Sequence, residues 1–552
     1  MSKLDEVLNL AKIKGYFWPA YDVYGGSSGF YVLGPYGVIL TNGITSLWRQ
    51  LFVRPMGFLE IDAPSVTPYK VLKSSGHVDN FKDPMAECSN CHNKYRADNL
   101  LSEAGKEISE SASPEAMQLA LNDDHIRCPN CGFTNWVVKP FMTMFSTNIG
   151  PYENSEGFLR PETAQGIFVE FQRLLSLNRG KLPMGVSQAG RGFRNEISPR
   201  QSIIRLREFH MLEVELFIDP AAKVSVIRPS EKRLPILHEA ILSAGRAEPD
   251  HLTLVEALDK GIVKNEWLGM FMQLSLELLC NLGVPVERQR FREKLKGERA
   301  HYSAQTFDHE VFIEEVGWLE VAGHAYRTDY DLKSHMKGSG QDMTVSVDLE
   351  SPISVPKKKV NFRIDALKLR YPESWQGILA GGYRLDENGV LFNGTPIDRD
   401  VYTINETVEV VKVRKIIPHV VEPSFGLERL MLACMYFAYQ KKDDRIVLSV
   451  PGGVIKRVAA VFPLLSKPEL TLRAQEVRER LLKAGIDVIY DDSGSIGRRY
   501  ARVDEAGVPI AITIDHQSLE DGTVTVRNRD TWEQVRKPED QLVSFMESLS
   551  LY

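Results

Sequence analysis

"GRGFRNEISPRQSIIRLREFHMLEVELF", residues 190–217, carries the pattern on which the reading of the chain turns. Its two ends have strand character. In "HMLEVELF", Met211, Glu213, Glu215 and Phe217 share one side, and Leu212, Val214 and Leu216 share the other, which is the two-residue period of a β-strand. The middle, "SPRQSIIR", contains Pro199 and reads as a polar loop, so the stretch predicts a long antiparallel hairpin. The hairpin offers Arg194, Glu196, Arg200, Arg205, Arg207, Glu208 and Glu213. Arginine suits bidentate contact with phosphate, and a carboxylate beside it can receive an amine or an adenine amino group. By composition alone, the same residues would equally build a solvated hairpin with cross-strand ion pairs.

Around this hairpin lies an ordinary globular composition, 43% hydrophobic and 25% charged. At 552 residues the chain exceeds a single core, which implies about two to four domains. No run of about 18 apolar residues occurs and the N-terminus lacks an apolar signal region, so neither membrane spanning nor secretion is expected and a cytoplasmic location follows. Leu4, Val7, Leu8 and Ala11 instead predict a short amphipathic helix. The net charge of −6 argues against a polyanion-binding surface over the whole molecule, but leaves room for local basic patches.

Four of the six cysteines form two C-x-x-C pairs, Cys88 with Cys91 and Cys128 with Cys131. Two such knuckles can place four thiolates at tetrahedral corners, which predicts a closed, structural Zn²⁺ site within an inserted arm at residues 85–140. No βαβ pattern surrounds either pair, which argues against redox chemistry. Cys280 and Cys434 sit in apolar helical patterns and are expected to be buried thiols. Residues 230–300 read as a helical insert and 335–415 as a strand-rich one. From 445 to 552, the apolar runs "RIVLSV", "DVIYDD" and "VPIAITID" alternate with helical stretches, which predicts a compact α/β domain.

Three further stretches complete the pattern. "FRNE" followed by a loop and "RLREF" resembles the second signature motif of the class II aminoacyl-tRNA synthetases. "GFLEIDAPSV" (57–66), with Pro64, resembles the first, and "FGLERLMLA" (425–433) the third. "YRADNLL" (95–101), "FLRPETAQGIFVEF" (158–171), "REFHMLEVE" (207–215) and "VVEPSFGLERL" (420–430) narrow the resemblance to the glycyl-tRNA synthetases of the archaeal and eukaryotic dimeric type, over nearly the whole chain. The resemblance implies an α/β (α+β) fold: an antiparallel sheet flanked by helices as the catalytic domain (1–84 and 141–440), and a C-terminal anticodon-binding domain. It also implies a homodimer through the first motif, and glycine, ATP with Mg²⁺ and tRNA(Gly) as partners.

By the same resemblance, Arg194, Glu196 and Arg429 are catalytic. Asn195, Ile204, Arg205, Leu206, Arg207, Glu208, Phe209, Val321 and Gly426 accompany them around ATP, with adenine on Phe209, and Glu320 carries Mg²⁺. Glycine falls to Glu162, Glu213 and Glu422 through its ammonium, to Ser424 at its Cα, and to Pro423, Arg96 and Arg327. A glycine site has no side chain to hold, so it must grip the ammonium and carboxylate and fill the space beyond Cα. No smaller amino acid exists to be rejected, so no editing domain is needed. Glu428 departs from the third motif, where a glycine is common, and is expected to face away from the triphosphate. Three alternatives stay open on sequence: a non-catalytic synthetase relative, a synthetase for serine, alanine or proline, and a zinc-ribbon nucleic-acid-binding module. A basic surface at Arg498, Arg499 and Arg502 is a candidate tRNA contact in the terminal domain.

Overall fold

The computed structural model describes residues 1–106, 112–151, 155–199, 202–222, 231–386, 389–455 and 458–548, so the candidate Arg200 lies outside the described residues. A nine-stranded sheet organises the larger of two compact units, Met1–Met343 with Ile417–Tyr552. Its strands are β1 (Leu59–Glu60), β2 (Met184–Phe193), β3 (Glu208–Ile218), β4 (Leu234–Leu237), β5 (Asp250–Leu252), β6 (Gln289–Glu293), β7 (Gln305–Ile313), β8 (Gly317–Thr328) and β9 (His419–Gly426). They run in the order β5-β4-β6-β7-β8-β9-β3-β2-β1, antiparallel except for β1 with β2 and β4 with β6. The hairpin expected over 190–217 is β2 and β3, paired from Met184↔Phe217 to Phe193↔Glu208.

β3 is buried on both faces, which explains its dense apolar run. Leu212, Val214 and Leu216 join Val421 and Phe425 of β9 in the main core. Helices α1 (Pro35–Trp48), α2 (Glu266–Asn281) and α3 (Leu427–Ala438) belong to the same core, where Phe52 meets Phe425 at 5.1 Å and Phe271 at 6.1 Å between ring centres. Asn265 caps α2 by accepting from the N–H groups of Trp267 and Leu268. α3 is apolar almost all round because it is enclosed. On the opposite face Phe217 packs between Phe168 and Phe171, with ring centres at 6.0 and 4.8 Å.

Several expectations are corrected here. Residues 230–300 are not a helical insert: β4, β5 and β6 extend the main sheet, and α2 packs beneath it. The isolated unit spans Thr344–Ile416 rather than 335–415, because Tyr330–Ser339 is a helix of the larger unit. Within the smaller unit, a long antiparallel ribbon (Val345–Phe362 with Tyr402–Ile416) joins a small sheet and two helices around Leu367, Ile378, Val390 and Tyr402. "RIVLSV" supplies Arg445–Leu448, which pairs with Tyr439–Lys442 rather than with the terminal sheet. That sheet is β10 (Val458–Pro463), β11 (Asp487–Tyr490), β12 (Ile510–Ile514), β13 (Thr523–Asn528) and β14 (Gln534–Pro538), in the order β11-β10-β12-β13-β14. Its parallel half is crossed by helices α4 (Pro468–Lys483) and α5 (Ile496–Glu505).

Cys434 is buried as expected, but Cys280 is exposed at the end of α2. Arg499 is buried and donates to the carbonyls of Asp492 and Gly494, each at 2.8 Å. Arg502 pairs with Asp491. Of the three arginines proposed as a basic surface, Arg498 alone is exposed.

Replacing Phe217 by alanine is expected to cost about 3–5 kcal/mol in denaturant unfolding, the usual cost of emptying a large core site. A loss under about 1 kcal/mol would contradict this packing account.

Candidate active site

A cavity of about 780 Å³ opens over the sheet face opposite the main core. Its geometry follows from strand register. Asp308, Gly323, Ser424 and Glu213 form one cross-strand row on β7, β8, β9 and β3, and all four line the cavity. One step along lie Ala325 and Glu422, paired across β8 and β9. In the other direction Gly426 pairs with Met211, and the chain turns into α3. The residue pattern of β9 therefore sets carboxylate, hydroxyl and helix start in sequence along one wall.

One end of the cavity is acidic. Glu162, Glu213 and Glu422 line it, and behind them stands Arg327, fully buried. Arg327 donates to both oxygens of Asp331 at 2.8 and 2.9 Å and to Glu422 at 2.9 Å, lies 3.6 Å from Glu162, and covers the Tyr302 ring at 3.8 Å. Glu213 is fixed by three donors: the Thr163 N–H at 2.7 Å, the Thr163 hydroxyl, and the Ser424 hydroxyl at 2.7 Å. Burial pushes Glu422 up to about 7, with Glu213 and Glu162 adding to it and Arg327 opposing. Burial acts on Glu162 too, but His77, 3.2 Å away, and Arg327 overcome it and hold that carboxyl below the usual range.

The other end is basic. Arg194, just beyond β2, donates to the Pro161 carbonyl at 3.3 Å, and its guanidinium lies 5.8 Å from the Phe81 ring centre and 5.5 Å from that of Phe209. Arg429 rises from the first turn of α3 and donates to the carbonyls of Ile204 at 3.0 Å and Glu320 at 2.8 Å. Glu196 faces Arg205 at 4.0 Å. Ile204, Leu206, Phe209 and Val321 supply the apolar lining beside them. The Glu320 side chain, 45% exposed into the cavity, is held ionised against burial by Arg429, Lys294 and Arg194.

Glu428 is spent on β3. Its carboxylate accepts the His210 N–H at 3.0 Å and meets His210 Nδ1 at 2.7 Å, which fixes it away from Arg429. Gly426 has ordinary backbone angles, and a Cβ there would meet only the Arg429 side chain, at 3.7 Å.

Six sequence candidates do not line the cavity. Arg327 acts from behind Glu422. Arg96 lies at the foot of the cysteine arm, paired with Asp83 at 2.8 Å and Asp98 at 2.5 Å. Arg207 braces loops by donating to the carbonyls of Ser28 at 2.9 Å and Glu196 at 2.8 Å. Glu208 pairs outward with Arg191, and Asn195 is tied by its N–H to Thr143. Pro423 sits opposite His324 on the core side of β9. Sequence reasoning missed Asp308, whose Oδ1 is buried without a hydrogen-bond partner among the described residues and whose Oδ2 lies 3.3 Å from Lys294. Burial, with Glu320 adding, pushes Asp308 up to about 7. The available signal was a carboxylate on the strand just before "WLEVAG".

In the arm, the Sγ atoms of Cys88 and Cys131 lie 3.6 Å apart, as do those of Cys91 and Cys128, and all four fall within 4.8 Å of one another. Tetrahedral Zn–S bonds of about 2.3 Å require sulfurs about 3.8 Å apart, so the donor set fits zinc. Each knuckle closes the same way: the Cys88 carbonyl accepts from His92 N–H and the Cys128 carbonyl from Gly132 N–H, and both donor residues have left-handed backbones. The His92 ring turns to Glu87 at 3.0 Å and is no ligand.

Two family models match the chain: the tRNA synthetase class II core domain (G, H, P, S and T) over residues 147–348, and an anticodon binding domain over 459–549. The chain is 42% identical to a glycine–tRNA ligase of Aeropyrum pernix over 98% of this chain and 95% of that one. It is 39% identical to one of Methanocaldococcus jannaschii over 98% of both chains, and 40% identical to one of Pyrococcus furiosus over 97% and 96%. Among solved structures, a prolyl-tRNA synthetase of Cryptosporidium parvum complexed with L-proline and AMP shares the fold, with a TM-score of 0.52 at 14% identity, covering 100% of this chain and 75% of that one.

Purified protein is expected to carry one zinc ion per chain by elemental analysis, lost in Cys131→Ser. Full retention of the metal in that variant would contradict the four-thiolate site.

Proposed function

The chain belongs to the glycine–tRNA ligases, a group of class II aminoacyl-tRNA synthetases, and from that premise we propose that the cavity over the central sheet is where glycine is activated by ATP and passed to tRNA(Gly). The observation that carries this reading is the pairing of an acidic end, built on Glu162, Glu213 and Glu422, with a basic end, built on Arg194 and Arg429, in one cavity.

The acidic end suits an ammonium. Glu213, oriented by Thr163 and Ser424, and Glu422, oriented by Arg327, bracket the space above Ser424, and Ser424 stands against Cα. A β-carbon on the amino acid would crowd this wall. The glycine carboxylate then points along the β8–β9 floor toward the arginines. It attacks the α-phosphorus, pyrophosphate departs and glycyl-adenylate is left; in the second step the terminal ribose hydroxyl of tRNA attacks the glycyl carbonyl carbon, the acyl–phosphate bond breaks and AMP departs. Both nucleophiles belong to substrates, so the protein's contribution is orientation and charge neutralisation. Arg194 faces the α-phosphate, while Arg205 and Arg429 hold the outer phosphates. Phe209 stacks on adenine, with Glu196 and the backbone around Leu206 at its edge. Glu320 would hold the Mg²⁺ that accompanies ATP, its ionised oxygen being the donor this ion prefers. The four cysteines would hold a closed zinc, which orders the arm and takes no part in the chemistry.

The homodimer is part of the same reading. β1, from the first motif, is a two-residue strand at the edge of the sheet, preceded by α1. The domain at 459–549 would grip the anticodon. The enzyme works where tRNA is charged, in the cytoplasm.

Glycine-dependent exchange of pyrophosphate into ATP tests the reading. Exchange is expected with glycine and not with alanine, serine or proline; exchange with none of them, or with one of the others in place of glycine, overturns it. Arg194→Ala is expected to lower exchange by about 10²–10³-fold. The glycine ammonium binds the ionised form of Glu422, whose carboxyl is pushed up to about 7 by burial. Below that pH the group is protonated and its charge is lost, so the KM for glycine is expected to fall as pH rises through about 7. Glu422→Gln should be weaker and lack that inflection; a parent profile flat between pH 6 and 8 would contradict the assignment.

A further inference from the structure

In the row Asp308–Gly323–Ser424–Glu213, three positions project side chains into the cavity and one projects nothing. Strands are spaced about 4.8 Å apart, so the gap between the flanking side chains on β7 and β9 is roughly 10 Å wide. Gly323 and Ala325 follow the two-residue period on the cavity side of β8, whereas His324 turns to the core against Phe425 at 5.7 Å. A glycine inside a strand weakens it, because the backbone loses more freedom and no side chain packs across the pair.

The other glycines of this sheet have structural reasons to be glycine, or a neighbour in contact. A Cβ at Gly185 would strike Phe58 at 2.3 Å, at Gly190 the Arg160 guanidinium at 2.4 Å, and at Gly192 the Met211 sulfur at 2.8 Å. Gly317 has a left-handed backbone, and at Gly426 a Cβ would touch the Arg429 side chain. Gly323 has neither cause: its backbone is not left-handed, and among the described residues a Cβ there would meet no atom within 4 Å.

We infer that Gly323 serves the reaction itself, its missing side chain making room for the reacting groups: the glycine carboxylate and the α-phosphorus meet over its Cα, between Ser424 on the ammonium side and Glu320 on the phosphate side. The inference rests on the reading of the cavity as the glycine-activation site. A methyl group at 323 clashes with the bound pair and with nothing in the protein. Stability and activity therefore respond to it in opposite directions, which a purely structural glycine would not allow.

The test uses the full chain with Gly323→Ala and Gly323→Val. Gly323→Ala is expected to melt at or above the parent temperature, while kcat/KM for glycine in pyrophosphate exchange falls at least about tenfold. Gly323→Val should fall further. Exchange within about twofold of the parent in Gly323→Ala overturns the inference. So does an activity loss accompanied by a lowered melting temperature, the mark of a structural role. Failure of the parent itself to exchange pyrophosphate with glycine overturns the underlying reading instead, so the two failures are distinguishable.

Discussion

The guanidinium of Arg327 is the contact on which the acidic half of the cavity depends. It is fully buried, and it divides its donors between Asp331 and Glu422 while standing beside Glu162. A buried cation without partners, or three buried carboxylates without a cation, would each be strongly unfavourable. Together they form a cluster that still carries excess negative charge. That excess is what a small cation such as an amino acid's ammonium can neutralise on entering. Glu215, two residues along the strand from Glu213, shows how near the cluster is to its limit. Its two carboxyl oxygens are buried without partners, and burial together with Glu422 pushes it far above the usual carboxylate range. Burial and the charges of Glu422, Glu213 and Asp331 disfavour its ionised form, with Arg327 opposing.

The register of β7, β8, β9 and β3 translates this cluster into a line. Each strand contributes one residue per row, so the carboxylates Glu213 and Glu422 and the hydroxyl of Ser424 take fixed places along one wall of the cavity. At the acidic end the carboxylates are held by buried donors. At the basic end Arg429 leans on carbonyls of Ile204 and Glu320, leaving part of its guanidinium facing the cavity. Glu428 completes the arrangement from below, since its bonds to His210 lock the start of α3 onto β3 and so fix where Arg429 emerges.

Much of this was legible in the sequence. The alternation of "HMLEVELF" identified β3, and the spacing of the cysteines anticipated the four clustered sulfurs. What stayed hidden depends on which way a side chain turns in three dimensions. Arg207 and Arg499 look like surface cations in one dimension, yet both are absorbed by carbonyls. Residues 230–300 read as helical because β4, β5 and β6 are short and α2 is long, and strand pairing with distant residues leaves no local period. Cys280 lies in the last turn of an apolar helix, where periodicity no longer decides exposure. Asp308 and Gly323 belong to a row assembled from four separate strands, and no single stretch of sequence contains it.

A crystal structure with a non-hydrolysable glycyl-adenylate analogue tests the central claim most directly. The account predicts the analogue's ammonium within hydrogen-bonding distance of Glu213 and Glu422, its phosphate facing Arg194, and Arg327 unmoved behind Glu422. An ammonium bound away from these carboxylates, or an Arg327 that leaves Asp331 to contact the ligand, would contradict it.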